Sequence, residues 1–148
     1  MKMLVVYQSK TGFTKKYAQW IAQELSCELK SAKEVTQHDV TSQDLIIYGG
    51  WIMGNMISHL EAIRKMPLKK LVTFGVGFSK KGECEAAIIE TNKLADIPFF
   101  YMEGGLNPKE MGFFSKFIVK MVTKKPVTFS DNTDKKYAME LVNYVRAL

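Results

Sequence analysis

The chain has 148 residues, with 21 Lys plus Arg against 15 Asp plus Glu for a formal charge of +6, and it is 47% hydrophobic and 24% charged. That balance fits a single globular domain over 1–148 and excludes a disordered tail, a collagen-like repeat or low-complexity sequence as its main content. No apolar run reaches the roughly 18 to 20 residues of a spanning helix, the amino terminus has no secretory layout, and Cys27 and Cys84 lack disulfide-scaffold or zinc-site spacing, so a cytoplasmic protein with reduced thiols is expected.

Met3 to Tyr7 is short, branched and apolar throughout, as suits a strand covered on both faces. From Phe13 to Leu25 the apolar positions Phe13, Tyr17, Trp20, Ile21 and Leu25 recur at spacings of three and four, which predicts an amphipathic helix. Glu28 to Ala32 is a weaker extended segment, and Asp44 to Tyr48 a strong apolar strand stopped by Gly49-Gly50. After a loop of about eight residues, Ile57 to Met66 predicts a short helix ended by Pro67. Lys70 to Phe74 is again extended, stopped by Gly75; Gly82 to Leu94 predicts a helix, and Ile97 to Met102 the last strand. Asp131 to Leu148 closes as a helix capped by Asp131 or Thr133, with a buried stripe of Tyr137, Leu141, Tyr144 and Val145. Strands and helices alternating at this spacing predict an α/β three-layer sandwich around a five-stranded parallel sheet of order 2-1-3-4-5. In such sheets ligands bind beyond the carboxyl ends of the strands, near the switch in strand order.

Three turns after strands carry the unusual residues. Ser9-Lys10-Thr11-Gly12-Phe13-Thr14 offers hydroxyls, a glycine and the amino end of a helix, a combination that suits a phosphate. It is neither a Walker loop nor a Gly-x-Gly-x-x-Gly turn; the alternative is that its hydroxyls only cap the helix. Gly50-Trp51-Ile52-Met53-Gly54-Asn55 places a tryptophan in a glycine-rich loop, where its ring offers a flat surface to an aromatic ligand or else caps an edge of the core. Gly75-Val76-Gly77-Phe78 lets backbone approach a ligand closely and supplies a second aromatic, which core packing would also explain.

Ser9-x-Thr11-Gly12-x-Thr14 after a first strand resembles the phosphate loop of flavodoxins, which bind FMN, and Met53-Gly54-Asn55 resembles the Met-Gly-Asp of short-chain members. The resemblance spans nearly the whole chain. It implies that the phosphate sits on residues 9–14, that Trp51 and Phe78 flank the flavin ring, and that the peptide after Met53 turns with redox state to present a carbonyl to flavin N5. Gly54 and Asn55 both tolerate the positive φ this needs, while Asn for Asp removes a negative charge beside the ring. Gly104 to Pro108 with Gly112 to Lys120 also resembles the flavodoxin-like, menaquinone-dependent protoporphyrinogen dehydrogenases, although the longer insertion of that family after Ser79 is missing.

Other chemistry is poorly supported. Gln8-Ser9 and Gly49-Gly50 stand where a phosphorylated receiver would carry acids, and His38 and His59 have no metal-ligand partners at suitable spacing. Cys84, near a helix start, has no resolving cysteine nearby and reads as an inert thiol. The positive charge is concentrated: six basic residues and no acid lie between Ile63 and Lys81, and five lysines against Glu110 between Leu106 and Lys125. The second segment sets Phe114, Phe117, Ile118, Met121 and Val122 at helical spacing with Lys116, Lys120 and Lys124 on another face. It suits either a core helix with a solvated face or contact of residues 106–125 with a membrane surface. No nucleic-acid motif is present. The expectation is an FMN-binding redox protein whose partner is a protein or a quinone-type molecule. A protoporphyrinogen or quinone oxidoreductase and a flavin-free interaction module are the alternatives, and no side chain stands out as a catalytic acid or base.

Overall fold

The computed structural model describes residues 1–107 and 129–148. In chain order its elements are β1 (Met3–Gln8), α1 (Phe13–Leu25), β2 (Glu28–Ser31), α2 (Gln37–Thr41), β3 (Leu45–Met53) and β4 (Met56–Ile57). They continue with α3 (Leu60–Arg64), β5 (Leu71–Gly77), α4 (Glu85–Thr91), β6 (Phe99–Glu103), β7 (Gly105–Leu106), β8 (Ser130–Asp131) and α5 (Lys135–Arg146). The continuous apolar runs of β1, β3 and β5 are explained by burial on both faces. Successive residues point to opposite sides of the sheet, so Val5, Ile47 and Val72 pack with Tyr17 and Ile21 of α1 and Leu141 and Val142 of α5. Leu4, Val6, Ile46 and Tyr48 pack with Val40, Leu60, Ile63 and Ile88 on the other face. Two cores around one sheet make three layers. Each fully buried branched residue matters: truncating Ile47, which has no exposed surface, to Ala is expected to cost about 2 to 5 kcal/mol.

All pairings along the main path are parallel, in the order β2-β1-β3-β5-β6, which is the expected 2-1-3-4-5 counted over the parallel strands. The register sets Gln8 opposite Gly50, Trp51 opposite Val76 and Gly77 opposite Glu103. The turns after β1, β3, β5 and β6 therefore emerge along one edge.

Several boundaries differ from expectation for identifiable reasons. Gly49-Gly50 and Gly75 do not stop their strands. A Cβ on Gly49 would lie 1.9 Å from the Phe74 ring, so the glycine is where a neighbouring strand's aromatic fills the space, and β3 continues to Met53. β5 likewise runs on to Gly77, where a Cβ would lie 2.8 Å from the Tyr101 hydroxyl. The stretch expected as a helix over 57–66 divides into β4 and the five-residue α3. The helix expected over 82–94 is confined to α4, and the last long strand begins at Phe99. α2, too short for a periodic pattern, is held by a reciprocal capping box between Thr36 and Asp39. α5 is capped by Asp134, not by Asp131 or Thr133, and buries Ala138, Leu141, Val142 and Val145, while Tyr144 is exposed. Of the segment expected as a basic amphipathic helix, Leu106 to Lys125, Leu106 belongs to β7, and residues 108–125 lie outside the described residues.

Candidate functional site

Three adjoining cavities line the edge where the turns emerge. The first is polar, about 480 Å³, and is walled by Ser9, Lys10, Thr11 and Gly12 together with Lys15, Ser31, Lys33 and Asn107. A narrow, mainly apolar slot follows, sharing Lys10 and Thr11 with it and adding Phe13, Thr14, Trp51, Ile52, Met53, Val76, Gly77, Phe78 and Gly104 to Leu106. The third, about 350 Å³ and apolar, shares Ile52, Met53, Gly77 and Phe78 with the slot and reaches Gly54, Asn55, Ser79, Cys84, Ile88 and Tyr101.

At the polar end, α1 is preceded by its N-cap Gly12, in a left-handed conformation with φ 94, which has no side chain to cap the first turn. Ser9 Oγ accepts from the Gly12 N–H at 3.1 Å, so one hydroxyl of this turn is engaged at the helix start. First-turn N–H groups and the positive end of a 13-residue helix make a site for an anion, with Lys10, Lys15 and Lys33 adding charge around the same cavity.

At the slot, Trp51 is the strand residue paired with Val76, not a loop residue as expected, and it is half-buried. Its indole N–H is buried without a hydrogen-bond partner among the described residues. A buried orphan donor costs roughly 1 to 3 kcal/mol, and a ligand acceptor in the slot would remove that cost. Lys10 Nζ lies 5.5 Å from the Trp51 ring centroid. Phe78, which also lines the slot, is 47% exposed, so it is a wall and not part of the core.

The loop beyond β3 is a tight hairpin: Ile52 pairs with Ile57 and Met53 with Met56, leaving Gly54 (φ 57) and Asn55 (φ 64) as the two central residues. Positive φ at both positions is the type I′ signature, reached at low cost by Gly and Asn. The carbonyl of Asn55 accepts from Asn92 Nδ2 at 2.7 Å, and the Ile57 N–H donates to Asn92 Oδ1 at 3.1 Å.

Behind Phe78, the Lys81 N–H donates to Glu103 Oε2 at 3.2 Å, and the Tyr137 hydroxyl donates to the same oxygen at 2.6 Å. The tyrosine bond, the Lys81 amide and nearby lysines hold the Glu103 carboxyl below the usual glutamate range. The same hydrogen bond pushes Tyr137 up to about 12. Tyr101 donates to the Ser79 carbonyl at 2.7 Å, and Tyr17 donates to the Glu103 carbonyl. Burial pushes the Cys84 thiol up, which leaves it unactivated. No cluster of His, Cys, Asp or Glu among the described residues could hold a metal ion, and no helix among them is long and apolar enough to cross a membrane.

The three predicted turns thus meet at one cleft, with two exceptions. Gly50, which lies against Ser58, and Gly75, which lies against Ile52 and Phe99, line none of the three cavities. Sequence reasoning missed Lys33, Tyr101 and the Gly104 to Leu106 wall as parts of the site, and Asn92 as the residue bonded to its Asn55 turn. Gly104-Gly105 was the one available signal, since paired glycines after a strand mark close backbone approach; the others carry no local pattern.

A sequence model described as the flavodoxin domain matches residues 4–134. The flavodoxin-like domain-containing protein BilS of Clostridioides difficile (strain CD3) is 34% identical over 97 residues, 61% of this chain and 55% of that protein, so the chain spans about half the length of that relative. Oxidised Flavodoxin 2 from Bacillus cereus superposes with a TM-score of 0.58 at 20% identity, covering 99% of this chain and 97% of the other. A WrbA-like flavodoxin from Agrobacterium tumefaciens gives 0.52 at 16% identity, with 99% and 98% covered. At such identities these structures show a shared fold.

Proposed function

The chain belongs to the flavodoxin-domain family, and from that premise we propose that it holds FMN in the cleft and transfers electrons to and from a separate partner. The observation that carries this reading is the polarity gradient along the cavities: a hydroxyl- and lysine-lined cavity at the amino end of α1, then a mainly apolar slot lined by Trp51 and Phe78. A molecule with a phosphate at one end and a planar ring at the other matches that gradient. The backbone N–H groups and hydroxyls of Ser9, Thr11, Gly12, Phe13 and Thr14 would hold the phosphate. Trp51, Met53 to Asn55 and Gly77 to Phe78 would frame the ring, and the Trp51 N–H would gain an acceptor. When bound, the isoalloxazine supplies the electron chemistry, while these residues set its position and surroundings.

Met53 and Phe78, 39% and 47% exposed, line the slot, and Met56, 47% exposed, is the ladder partner of Met53, which gives the cleft an apolar rim. Such a rim suits a redox partner protein, and equally a quinone-type molecule that a flavin-dependent oxidoreductase would act on. Reduction of a quinone or oxidation of protoporphyrinogen, assayed with the FMN-loaded protein, separates an enzyme from an electron carrier. For membrane contact through residues 106–125, co-sedimentation with anionic vesicles should be reduced by charge reversal of Lys116, Lys120 and Lys124.

The primary test is titration of the folded protein with FMN. The expected result is a perturbed flavin absorption spectrum and quenched flavin fluorescence at micromolar concentration. A folded protein that leaves both unchanged would overturn the reading and favour a flavin-free interaction module.

A further inference from the structure

Asn92 follows α4, far in sequence from the β3–β4 hairpin, yet it is only 5% exposed and is one of few buried polar side chains among the described residues. Its amide is fully engaged. Nδ2 donates to the Asn55 carbonyl at 2.7 Å and to the Ile88 carbonyl at 2.8 Å, and Oδ1 accepts from the Ile57 N–H at 3.1 Å. Its own carbonyl accepts from Arg64 Nη1 at 2.7 Å, and the same guanidinium nitrogen donates to the Lys93 carbonyl at 3.2 Å. Arg64 ends α3 and so neutralises the carbonyl end of α4 while fixing where Asn92 stands.

These bonds act on one small object. The turn Gly54-Asn55 has both φ angles positive and both residues exposed, borders the apolar cavity, and has two-residue β4 as its only strand on the return side. Two ladder pairs alone would hold it weakly. Asn92 fastens the carbonyl just before β4 and the amide of its second residue, so the orientation of the turn's peptide dipoles beside the cavity is set from the end of α4. Fixed backbone dipoles against a redox ring bear on the relative stability of its charge states.

We infer that Asn92 is a positioning residue that sets the midpoint potential of the bound flavin by fixing the Gly54-Asn55 turn, with Arg64 holding it from behind. The inference rests on the flavin reading above and names the residue that regulates that same site.

The test uses the full chain with and without FMN. In N92A without flavin, the Ile57 amide should exchange about tenfold faster than in wild type, the fold-change expected for loss of a buried hydrogen bond of about 1.4 kcal/mol, while amides of β1 should be unaffected. With FMN, N92A should bind more weakly and have a shifted midpoint potential, and R64A should shift it in the same direction by less. N92D retains the acceptor used by Ile57 but loses both donated bonds, and it carries the test where N92A does not fold. A wild-type potential in FMN-loaded N92A or N92D overturns the inference and leaves the flavin reading standing. Failure of wild type to bind FMN overturns both, while a changed Ile57 exchange would still show the clamp.

Discussion

Lys10 Nζ lies 5.5 Å from the centre of the Trp51 ring, so a cation from the turn after β1 reaches over the aromatic at the end of β3. Such a contact is worth about 0.5 to 1 kcal/mol at an exposed site. A phosphate at the first turn of α1 would offer the same ammonium about 4 kcal/mol at 4 Å with an effective dielectric constant near 20. The phosphate would win, and Lys10 would then leave the ring face free for stacking.

Removing the cation should therefore separate ligands by charge. In K10A, FMN affinity is expected to fall about tenfold and to depend less on salt, while riboflavin, which has the ring but no phosphate, should bind as well as before or better. Fluorescence titration of both ligands checks this; equal weakening of both would mean that Lys10 acts on the ring.

The buried Trp51 N–H has no hydrogen-bond partner among the described residues, so its substitutions should act differently on the empty and loaded protein. W51F removes the orphan donor together with part of the ring, and the two effects offset, leaving unfolding free energy within about 1 kcal/mol of wild type by urea denaturation. FMN binding should weaken by about 2- to 10-fold. In a W20F background, which leaves Trp51 as the sole tryptophan, FMN should quench the remaining emission.

Glu103 ties the Phe78 loop to α5 through Lys81 and Tyr137. Its folded value lies below the unfolded one, so its contribution to stability is complete above the ordinary glutamate range and is lost as pH falls through the lowered folded value. Protection of the Lys81 amide should decline over that same acidic interval. E103Q should abolish the pH dependence; a Lys81 amide that titrates identically in E103Q would assign the effect elsewhere.

Gly49 is occupied by the Phe74 ring in all but name: an added methyl would sit 1.9 Å from that ring, which is itself fully buried. G49A should destabilise by about 3 kcal/mol. Adding F74L should restore part of that loss, giving a non-additive double-mutant cycle in thermal or urea unfolding.

The strand order and the meeting of three turns at one edge were legible because doubly buried strands leave continuous apolar runs, and α1 leaves a 3.6-residue period. Strand ends were not legible where glycine serves a neighbour instead of a turn: Gly49 accommodates Phe74 and Gly77 accommodates Tyr101, and neither partner is local. Within the site, Trp51 and the Gly54-Asn55 turn announce themselves by residue type. Asn92 does not, because its role comes from bonds 35 and 37 residues away in sequence. Lys33 reaches the polar cavity only because β2 lies beside β1.

β7 and β8 pair Gly105 with Asp131 and Leu106 with Ser130, so the chain departs from the cleft wall and rejoins it at adjacent points. The ladder makes the residues between Leu106 and Ser130 a cassette whose two ends are already stitched together. A chimera that joins β7 to β8 through a short Asn-Gly turn should keep the sheet and the cleft. Any specificity that differs between the chimera and the full chain would belong to the cassette, which gives a direct way to assign partner choice to one piece of sequence.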